Sequence, residues 1–434
     1  MRHLYTILLY LALPFVLLRL LWRSLKAPDY RKRWKERLGL FDPLGASNTL
    51  WIHAVSVGEV QATVPLVKLL QERYPGQAIV ITTTTPTGSR RVKELFGDDL
   101  FHLYAPYDLP LIIERFIRYT RPRIVVLMET EVWPNLLATC KRHGIPSLLA
   151  NARLSRRSAK GYARLGGFAR QTFGNISRVA AQAAADAERF AQLGVDPARI
   201  LVTGSIKFDA RLPRSLNEQA EVIRRTWGHG RSVWVAASTH EGEDELALQA
   251  HRQIRRQLPN ALLVLVPRHP ERFDSVAVLC QKSGFHVVRR SDHASCTAET
   301  GVFLGDSVGE LPMFLAGADV AFMGGSLVKH GGHNMLEPAA LGVPVVFGPH
   351  NFNFAAISEL LLEADAAVMV HHADELATVV EAWLGDASER SRIGENGRRV
   401  VEQNRGALDR LAALMDELLA PSARLEVLRQ RSSV

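Results

Sequence analysis

Residues 50–70 read LWIHAVSVGEVQATVPLVKLL. The opening Leu50-Trp51-Ile52-His53-Ala54 is nearly continuous in apolar and aromatic residues, without the polar alternation of a sheet face that meets water. Such a run reads as a strand covered on both sides. Ser56-Val57-Gly58-Glu59 interrupts it, and from Val60 to Leu70 the apolar residues return with helical spacing. Gly58 permits a tight strand-to-helix turn, and Glu59 falls near the helix N-terminus, where the helix dipole favours an ionised carboxylate. Strand, turn and covering helix form the repeating half of a parallel βαβ unit.

The same pattern recurs along the chain. Candidate strands lie at 50–54, 78–83, 124–128, 147–150, 178–181 and 200–203. A second series lies at 233–237, 262–266, 286–289, 301–304, 320–323, 343–347 and 367–370. The polar stretch 208–227 separates the two series. This predicts an α/β protein of two Rossmann-like, doubly wound domains facing a cleft. In such sheets ligands bind beyond the carboxyl ends of the strands. The expected boundaries are 41–210 and 211–400, with a helical tail at 401–434.

The 434 residues, 47% hydrophobic and 22% charged, describe an ordinary globular chain long enough for several cores, not a disordered or fibrous one. Three cysteines, Cys140, Cys280 and Cys296, form no C-x-x-C pair, which argues against a disulfide framework or a Cys-rich zinc site. The net charge is +9, but residues 1–40 hold nine basic and two acidic residues, so +7 of it sits there. A nucleic-acid binder would spread its basic surface over the folded body, so no nucleic-acid partner is expected.

That basic excess flanks an apolar N-terminus. Residues 4–18, LYTILLYLALPFVLL, carry no charge, and LLW follows Arg19. The uncharged run is shorter than the roughly 20 residues that span a bilayer, but with Arg19 snorkelling it spans a thin membrane or embeds in one leaflet. No A-x-A-like cleavage site follows; instead comes RKRWKER at 31–37, which anionic lipid attracts and the positive-inside rule keeps in the cytoplasm. Residues 1–40 therefore read as an uncleaved anchor with a basic juxtamembrane segment, the alternative being a buried core helix.

Several strand ends carry chemistry. Glu59 either stabilises its helix end or serves as a general base. Glu129-Thr130-Glu131 follows the strand at 124–128, and its acids either bind hydroxyls and shape the local field, or cap a helix and face solvent. Asn151-Ala152-Arg153-Leu154-Ser155 follows the next strand, and Lys207 follows the last of the first series, as an anion ligand or a surface charge. In the second half, Pro267-Arg268 offers a guanidinium fork suited to phosphate. Val308-Gly309-Glu310 forms a loop-to-helix turn. Gly324-Gly325-Ser326 and Gly331-Gly332-His333-Asn334-Met335-Leu336-Glu337 combine two glycine pairs with a helix start. Glycines let backbone approach a phosphate and Glu337 would accept from ribose hydroxyls, so a nucleotide site is favoured over a pair of structural turns. It is neither a P-loop nor a G-x-G-x-x-G fingerprint. No metal site is expected: His53, His269, His330 and His333 form no H-E-x-x-H set, and D-x-D is absent.

The motifs WIHAVSVGE, METEVWPN, NARLS, GSIKFD, STHEGE, VPRHPERF, GDSVGEL and GGSLVKHGGHNMLEPAA occur in an order that resembles the 3-deoxy-D-manno-octulosonic acid (Kdo) transferases. So does APDYRKRWKERLG beside the apolar N-terminus. That resemblance implies a membrane-associated, inverting GT-B glycosyltransferase of lipid A assembly at the inner membrane, its catalytic domains in the cytosol and its last helical segment, 401–434, crossing back to the N-terminal domain. The implied donor is CMP-Kdo, the acceptor the lipid A precursor (lipid IVA), and no cofactor or metal is required. It implies Glu59 as proton acceptor, Glu129 and Lys207 as transition-state stabilisers, and CMP held by Pro267, Arg268, Val308, Gly309, Glu310, Asn334, Met335, Leu336 and Glu337. Met335 departs mildly from the Pro or small residue usual in that family. Rival readings are another GT-B CMP-sugar transferase, a sugar-nucleotide epimerase, and a non-catalytic membrane-tethered glycolipid-binding protein.

Overall fold

The computed structural model describes residues 1–209 and 215–420. They fall into two compact units, one of residues 1–209 with 405–420, the other of residues 215–404. In the first unit β1 (Thr49–His53), β2 (Ile79–Thr83), β3 (Phe101–Tyr104), β4 (Pro122–Met128), β5 (Ser147–Ala152), β6 (Arg178–Ala181) and β7 (Ile200–Val202) form a parallel sheet. Its order is β3-β2-β1-β4-β5-β6-β7. In the second unit β8 (Val233–Thr239), β9 (Leu262–Pro267), β10 (His286–Arg289), β11 (Thr300–Leu304), β12 (Val320–Met323), β13 (Val345–Phe347) and β14 (Ala367–Met369) form another, ordered β10-β11-β9-β8-β12-β13-β14.

Why the centre of β1 is apolar follows from its place. All five of its residues are buried. Leu50 and Ile52 pack into one core with Ile79, Ile81, Ile124 and Val126, while Trp51 packs into the core on the opposite face with Val80, Val125 and Leu127. Both faces of the sheet are covered, so Leu50, Trp51 and Ile52 are all apolar, while the polar Thr49 and His53 at the strand ends are buried with hydrogen bonds to Thr120 and Thr82. The strand missing from the sequence reading is β3, Phe101-His102-Leu103-Tyr104, at the sheet edge. It is only four residues long and His102 interrupts its apolar residues, so it lacks the longer run that identifies β1 and β2.

Strand order reverses between β1 and β4 in the first sheet and between β8 and β12 in the second. These are the topological switch points, where helices leave the sheet on opposite faces and a crevice opens at the carboxyl ends. Glu59 follows β1 and Glu129 follows β4. His240 and Glu243 follow β8, and the glycine loop follows β12.

The polar stretch 208–227 holds the boundary between the two units. Residues 210–214 lie outside the described ones, but Leu216–Trp227 is a helix of the second unit, burying Leu216, Ala220, Ile223 and Trp227. Its charges mark only its outer face. Of the expected tail at 401–434, residues 421–434 lie outside the described ones. Helix Ala407–Leu419 belongs to the first unit and puts Leu411, Leu414, Met415 and Leu419 into the core of β1 and β4.

That helix has no side-chain cap of its own. Asp209 supplies one across 197 residues: its two carboxylate oxygens accept from the backbone N–H of Gly406 and of Leu408, each at 2.6 Å. Asp209→Ala leaves two helix-start donors unmatched, and the expected loss is about 1–2 kcal/mol of stability. An unchanged denaturation midpoint would show that the link contributes nothing.

At the N-terminus Arg2–Lys26 is a single helix, longer than the uncharged run because Arg19 and Arg23 continue it. Residues Arg2–Leu25 are long and apolar enough to cross a membrane by length and composition. Leu4, Leu8, Leu11, Phe15, Leu18 and Trp22 are exposed. The helix is tied to the first unit by Tyr5, whose hydroxyl donates to Asp108 at 3.0 Å, and by Thr6, which donates to Asn135 at 3.1 Å.

Candidate active site

The Ser-Val-Gly-Glu turn after β1 is a capping arrangement. Ser56 is the N-cap of helix Val57–Arg73, and its hydroxyl accepts from the Glu59 N–H at 3.2 Å. The same hydroxyl donates to the Glu59 carboxylate at 2.8 Å, and the Val55 N–H donates to the other oxygen at 2.9 Å. Spacing S-x-x-E signals such a reciprocal cap. Gly58 does not make the strand-to-helix turn expected of it. It lies inside the helix without a left-handed φ, and a Cβ there would meet nothing nearer than the Ser56 hydroxyl at 3.9 Å.

Nor does the helix end keep Glu59 a readily ionised acid. Burial pushes its pKa up to about 7, the charges of Glu131 and Glu129 push the same way, and the Ser56 and Val55 hydrogen bonds oppose them only partly. Desolvation outweighs the dipole, because Glu59 is 8% exposed. The result is a carboxyl that takes and gives a proton near neutrality, although it also caps its helix.

Glu129 and Lys207, far apart in sequence, come together. Lys207 Nζ lies 3.7 Å from one Glu129 oxygen and Arg153 Nη2 lies 3.8 Å from the other. Glu129 takes a left-handed φ of 54°, and so does Asn151 at 52°. Strain in non-glycine residues at strand ends is typical of sites that aim side chains. The Asn151 carboxamide oxygen accepts from the Ile206 N–H at 3.2 Å, fixing the loop that carries Lys207.

Neither acid of the Glu129-Thr130-Glu131 loop caps a helix or faces solvent. Glu131 accepts from the Trp133 indole at 2.8 Å, and burial raises its pKa. Helix Pro134–Arg142 is capped instead by Asp108, which accepts from Asn135 N–H at 3.0 Å and Leu136 N–H at 2.7 Å. The Trp133 ring stands edge-on to His53 at 4.5 Å. His53 itself is fully buried, which pushes its pKa down to about 3, so it stays neutral. Trp133 also lines a groove of about 240 Å³ with Tyr5, Leu9, Leu13, Val16 and Leu109. One indole thus joins the apolar helix to the carboxylate loop.

In the second unit, β11, β9, β8 and β12 are consecutive neighbours, so the loops after them line one edge of the sheet. Pro267 ends β9, buried, and Arg268 beyond it is exposed, its guanidinium without a hydrogen bond or ion pair among the described residues. Val308 is 78% exposed and Gly309 has φ of 88°. Glu310 is held by Arg290 through contacts of 2.9 and 2.7 Å, and that guanidinium keeps its carboxyl below the usual range. Asn334 donates to Glu337 at 3.1 Å and accepts from Leu336 N–H at 3.2 Å. Burial raises the Glu337 pKa against that one donor. Met335 is fully buried and Leu336 nearly so.

The first glycine pair does something other than the sequence suggested. The N–H groups of Gly325, Ser326 and Leu327 donate to the Glu243 carboxylate at 2.6, 3.0 and 2.9 Å, and that of His240 joins them at 3.0 Å. A protein carboxylate, fully buried, fills the nest expected to hold a phosphate. Gly324 is needed for the close approach: a Cβ there would lie 2.7 Å from the Ser238 carbonyl oxygen. The local sequence pattern does not single out Glu243. Its signal is the acid that ends Ser238-Thr239-His240-Glu241-Gly242-Glu243, four residues beyond the buried strand β8. Among the described residues, no group of three or more His, Cys, Asp or Glu is arranged to hold a metal ion.

Residues 32–210 match the family described as 3-deoxy-D-manno-octulosonic-acid transferase (kdotransferase), and residues 233–400 match glycosyl transferases group 1. The chain is 45% identical to the 3-deoxy-D-manno-octulosonic acid transferase of Haemophilus influenzae over 421 residues, 96% of this chain and 99% of that one. It is 38% identical to the enzyme of the same name from Bordetella pertussis, over 88% of this chain and 90% of that one. A crystal structure of a glycosyltransferase from Rickettsia africae superposes with a TM-score of 0.53 at 15% identity, covering 87% of this chain and all of that one. Likeness at that identity concerns the fold alone.

Proposed function

The chain belongs to the Kdo transferase family, and from that premise we propose that it moves Kdo from CMP-Kdo to a hydroxyl of the lipid A precursor, with inversion and without a metal. The fold is GT-B and the activity that of a glycosyltransferase. The observation that carries the mechanism is Glu59, a buried carboxyl at the sheet's switch point whose pKa is pushed up to about 7. A general base works best when its pKa lies near the working pH.

In this reading the anomeric carbon gains oxocarbenium character as its bond to the CMP phosphate breaks. Glu59 takes the proton of the acceptor hydroxyl as that oxygen attacks from the opposite face. Lys207, oriented by Glu129, answers the sugar's own carboxylate. Arg268 answers the phosphate, supplying positive charge that divalent ions supply in other transferases. Asn334 and the buried Glu337 accept from the ribose.

The acceptor is a lipid, and the reading gives the N-terminus its purpose. Helix Arg2–Lys26 and the +7 of residues 1–40 bring the enzyme to the anionic cytosolic face of the inner membrane. The apolar groove beside Trp133 suits an acyl chain of a lipid reaching the Glu59 loop.

The test is a product assay. Full-length protein in detergent receives tetraacylated lipid A precursor and CMP-Kdo, with EDTA present, and the lipid is weighed by mass spectrometry. Kdo-sized increments that persist in EDTA are the expected result. Increments that vanish with EDTA and return with a divalent ion would overturn the metal-free step, and none under any condition would overturn the acceptor assignment.

A further inference from the structure

Four histidines outside the residues assigned above crowd together beside Arg268. The His240 ring stacks on His330 at 4.0 Å and lies parallel to His333 at 5.2 Å, while His269 meets it edge-on at 5.4 Å. His240 Nε2 and His333 Nε2 are 2.9 Å apart and share a hydrogen bond. His269 directly follows Arg268, whose N–H donates to the Thr239 carbonyl at 3.0 Å, one residue before His240. We propose that this cluster is a proton-accepting anion site: the His240–His333 pair takes up one proton when a phosphate monoester binds beside Arg268. The phosphate source rests on the CMP-Kdo reading above.

The stoichiometry follows from the hydrogen bond. Two neutral imidazoles joined Nε2 to Nε2 hold one shared proton and one proton on the acceptor ring's Nδ1. The donor ring's Nδ1 keeps a bare lone pair. One added proton goes there without breaking the bond, which becomes charge-assisted. A second would leave both Nε2 atoms as donors facing each other.

Without ligand the pair stays neutral. Burial, the neighbouring His330 and His269, and the Arg272 and Arg268 guanidiniums push His240 down to about 4. Burial, Arg268 and the other rings push His333 down to about 3. The carboxylates nearby are otherwise engaged. Glu243 lies beneath, holding the backbone, Asp244 pairs with Arg272, and Glu271 stands 4.0 Å from His269. The fold also makes room for the pair. Gly325, with φ of 67°, lies against both rings, and a Cβ there would come within 3.1 Å of His333.

A dianion reverses this balance. In a sugar nucleotide of the CMP-Kdo kind the phosphate is a diester with one negative charge. When the anomeric C–O bond breaks, its electron pair stays on the phosphate oxygen, and the monoester released carries up to two. The acceptor's proton goes to Glu59 and the imidazole's proton comes from solvent, so charge and protons balance. The pair then neutralises the leaving group that Arg268 alone meets with a single charge.

Calorimetry tests this with the full chain in detergent. CMP is titrated near neutral pH in buffers of different ionisation enthalpy, and the slope of apparent enthalpy gives the protons taken up. The expected value is roughly half to one proton per CMP, with affinity falling up to about tenfold per pH unit toward alkaline pH. His333→Gln should abolish most of the uptake. Because a buried substitution can unfold the unit, ring ¹⁵N spectra of the unaltered protein serve as a second readout and should show one ring becoming imidazolium when CMP binds. CMP binding without proton uptake, or with unchanged ring signals, overturns the proposal. Inorganic phosphate separates the two readings. Uptake with phosphate but no CMP binding supports the anion site and removes the cytidylate assignment, and no binding of either removes both.

Discussion

Glu59→Gln is expected to lower the rate of Kdo transfer by about 10²–10⁴-fold, the usual contribution of a positioned base. CMP affinity should be unchanged, because the nucleotide is assigned to the other unit. Glutamine keeps an oxygen for the Val55 or Ser56 donor, so the helix cap survives in part. The pH profile is the sharper readout. Glu59 must be ionised to act, so the wild-type rate should rise with pH and level off above about 7, while the residual rate of the variant should lose that limb. The stability sign is opposite. A carboxyl raised from the ordinary 4.5 to about 7 is destabilised as its anion, so its contribution to stability falls between those pH values as pH rises. At about 1.4 kcal/mol per tenfold, the cost above neutrality is roughly 3 kcal/mol. The variant should therefore match or exceed wild-type stability at alkaline pH. A variant that transfers Kdo at the wild-type rate would remove Glu59 from the chemistry.

The second large effect is expected at Glu243. Its carboxylate satisfies four backbone N–H groups in a fully buried position. Glu243→Ala strands all four, and a buried group deprived of its charged partner typically costs about 3–5 kcal/mol. For a unit of this size that lowers the melting temperature by about 10 °C. Glu243→Gln should fall between, since its NH₂ group meets donors where the carboxylate offered a lone pair. Loss of CMP affinity should accompany the loss of stability, because the loop from Gly324 to Leu327 underlies His240 and His333. An unchanged melting temperature in the alanine variant would mean that water replaces the carboxylate at no cost.

Much of the fold is legible from local pattern. Strand β1 reads directly from Leu50-Trp51-Ile52, because a sheet covered on both faces demands apolar residues of both parities. The edge strand β3 does not, since it is only four residues long and His102 interrupts its apolar residues. Helix Leu216–Trp227 hides for a related reason. Its charges are conspicuous, and the four residues it buries are spaced around the polar ones.

The sites divide along the same line. Sequence order alone sets Glu59, Glu129, Lys207 and Arg268 at the carboxyl ends of strands, because each ends or follows an apolar run, and the parallel topology gathers such ends. Which acid is a base, and which nest holds an anion, depends on groups distant in the chain. Burial by the surrounding core, with Glu131 and Glu129, decides the proton affinity of Glu59. Glu243 reaches the Gly325 N–H across 82 residues and occupies the amides that looked free for phosphate. His240 and His333 meet across 93 residues. Backbone pattern is local and can be read along the chain, whereas desolvation and hydrogen-bond partnership are sums over everything nearby in space, and only the folded chain determines what is nearby.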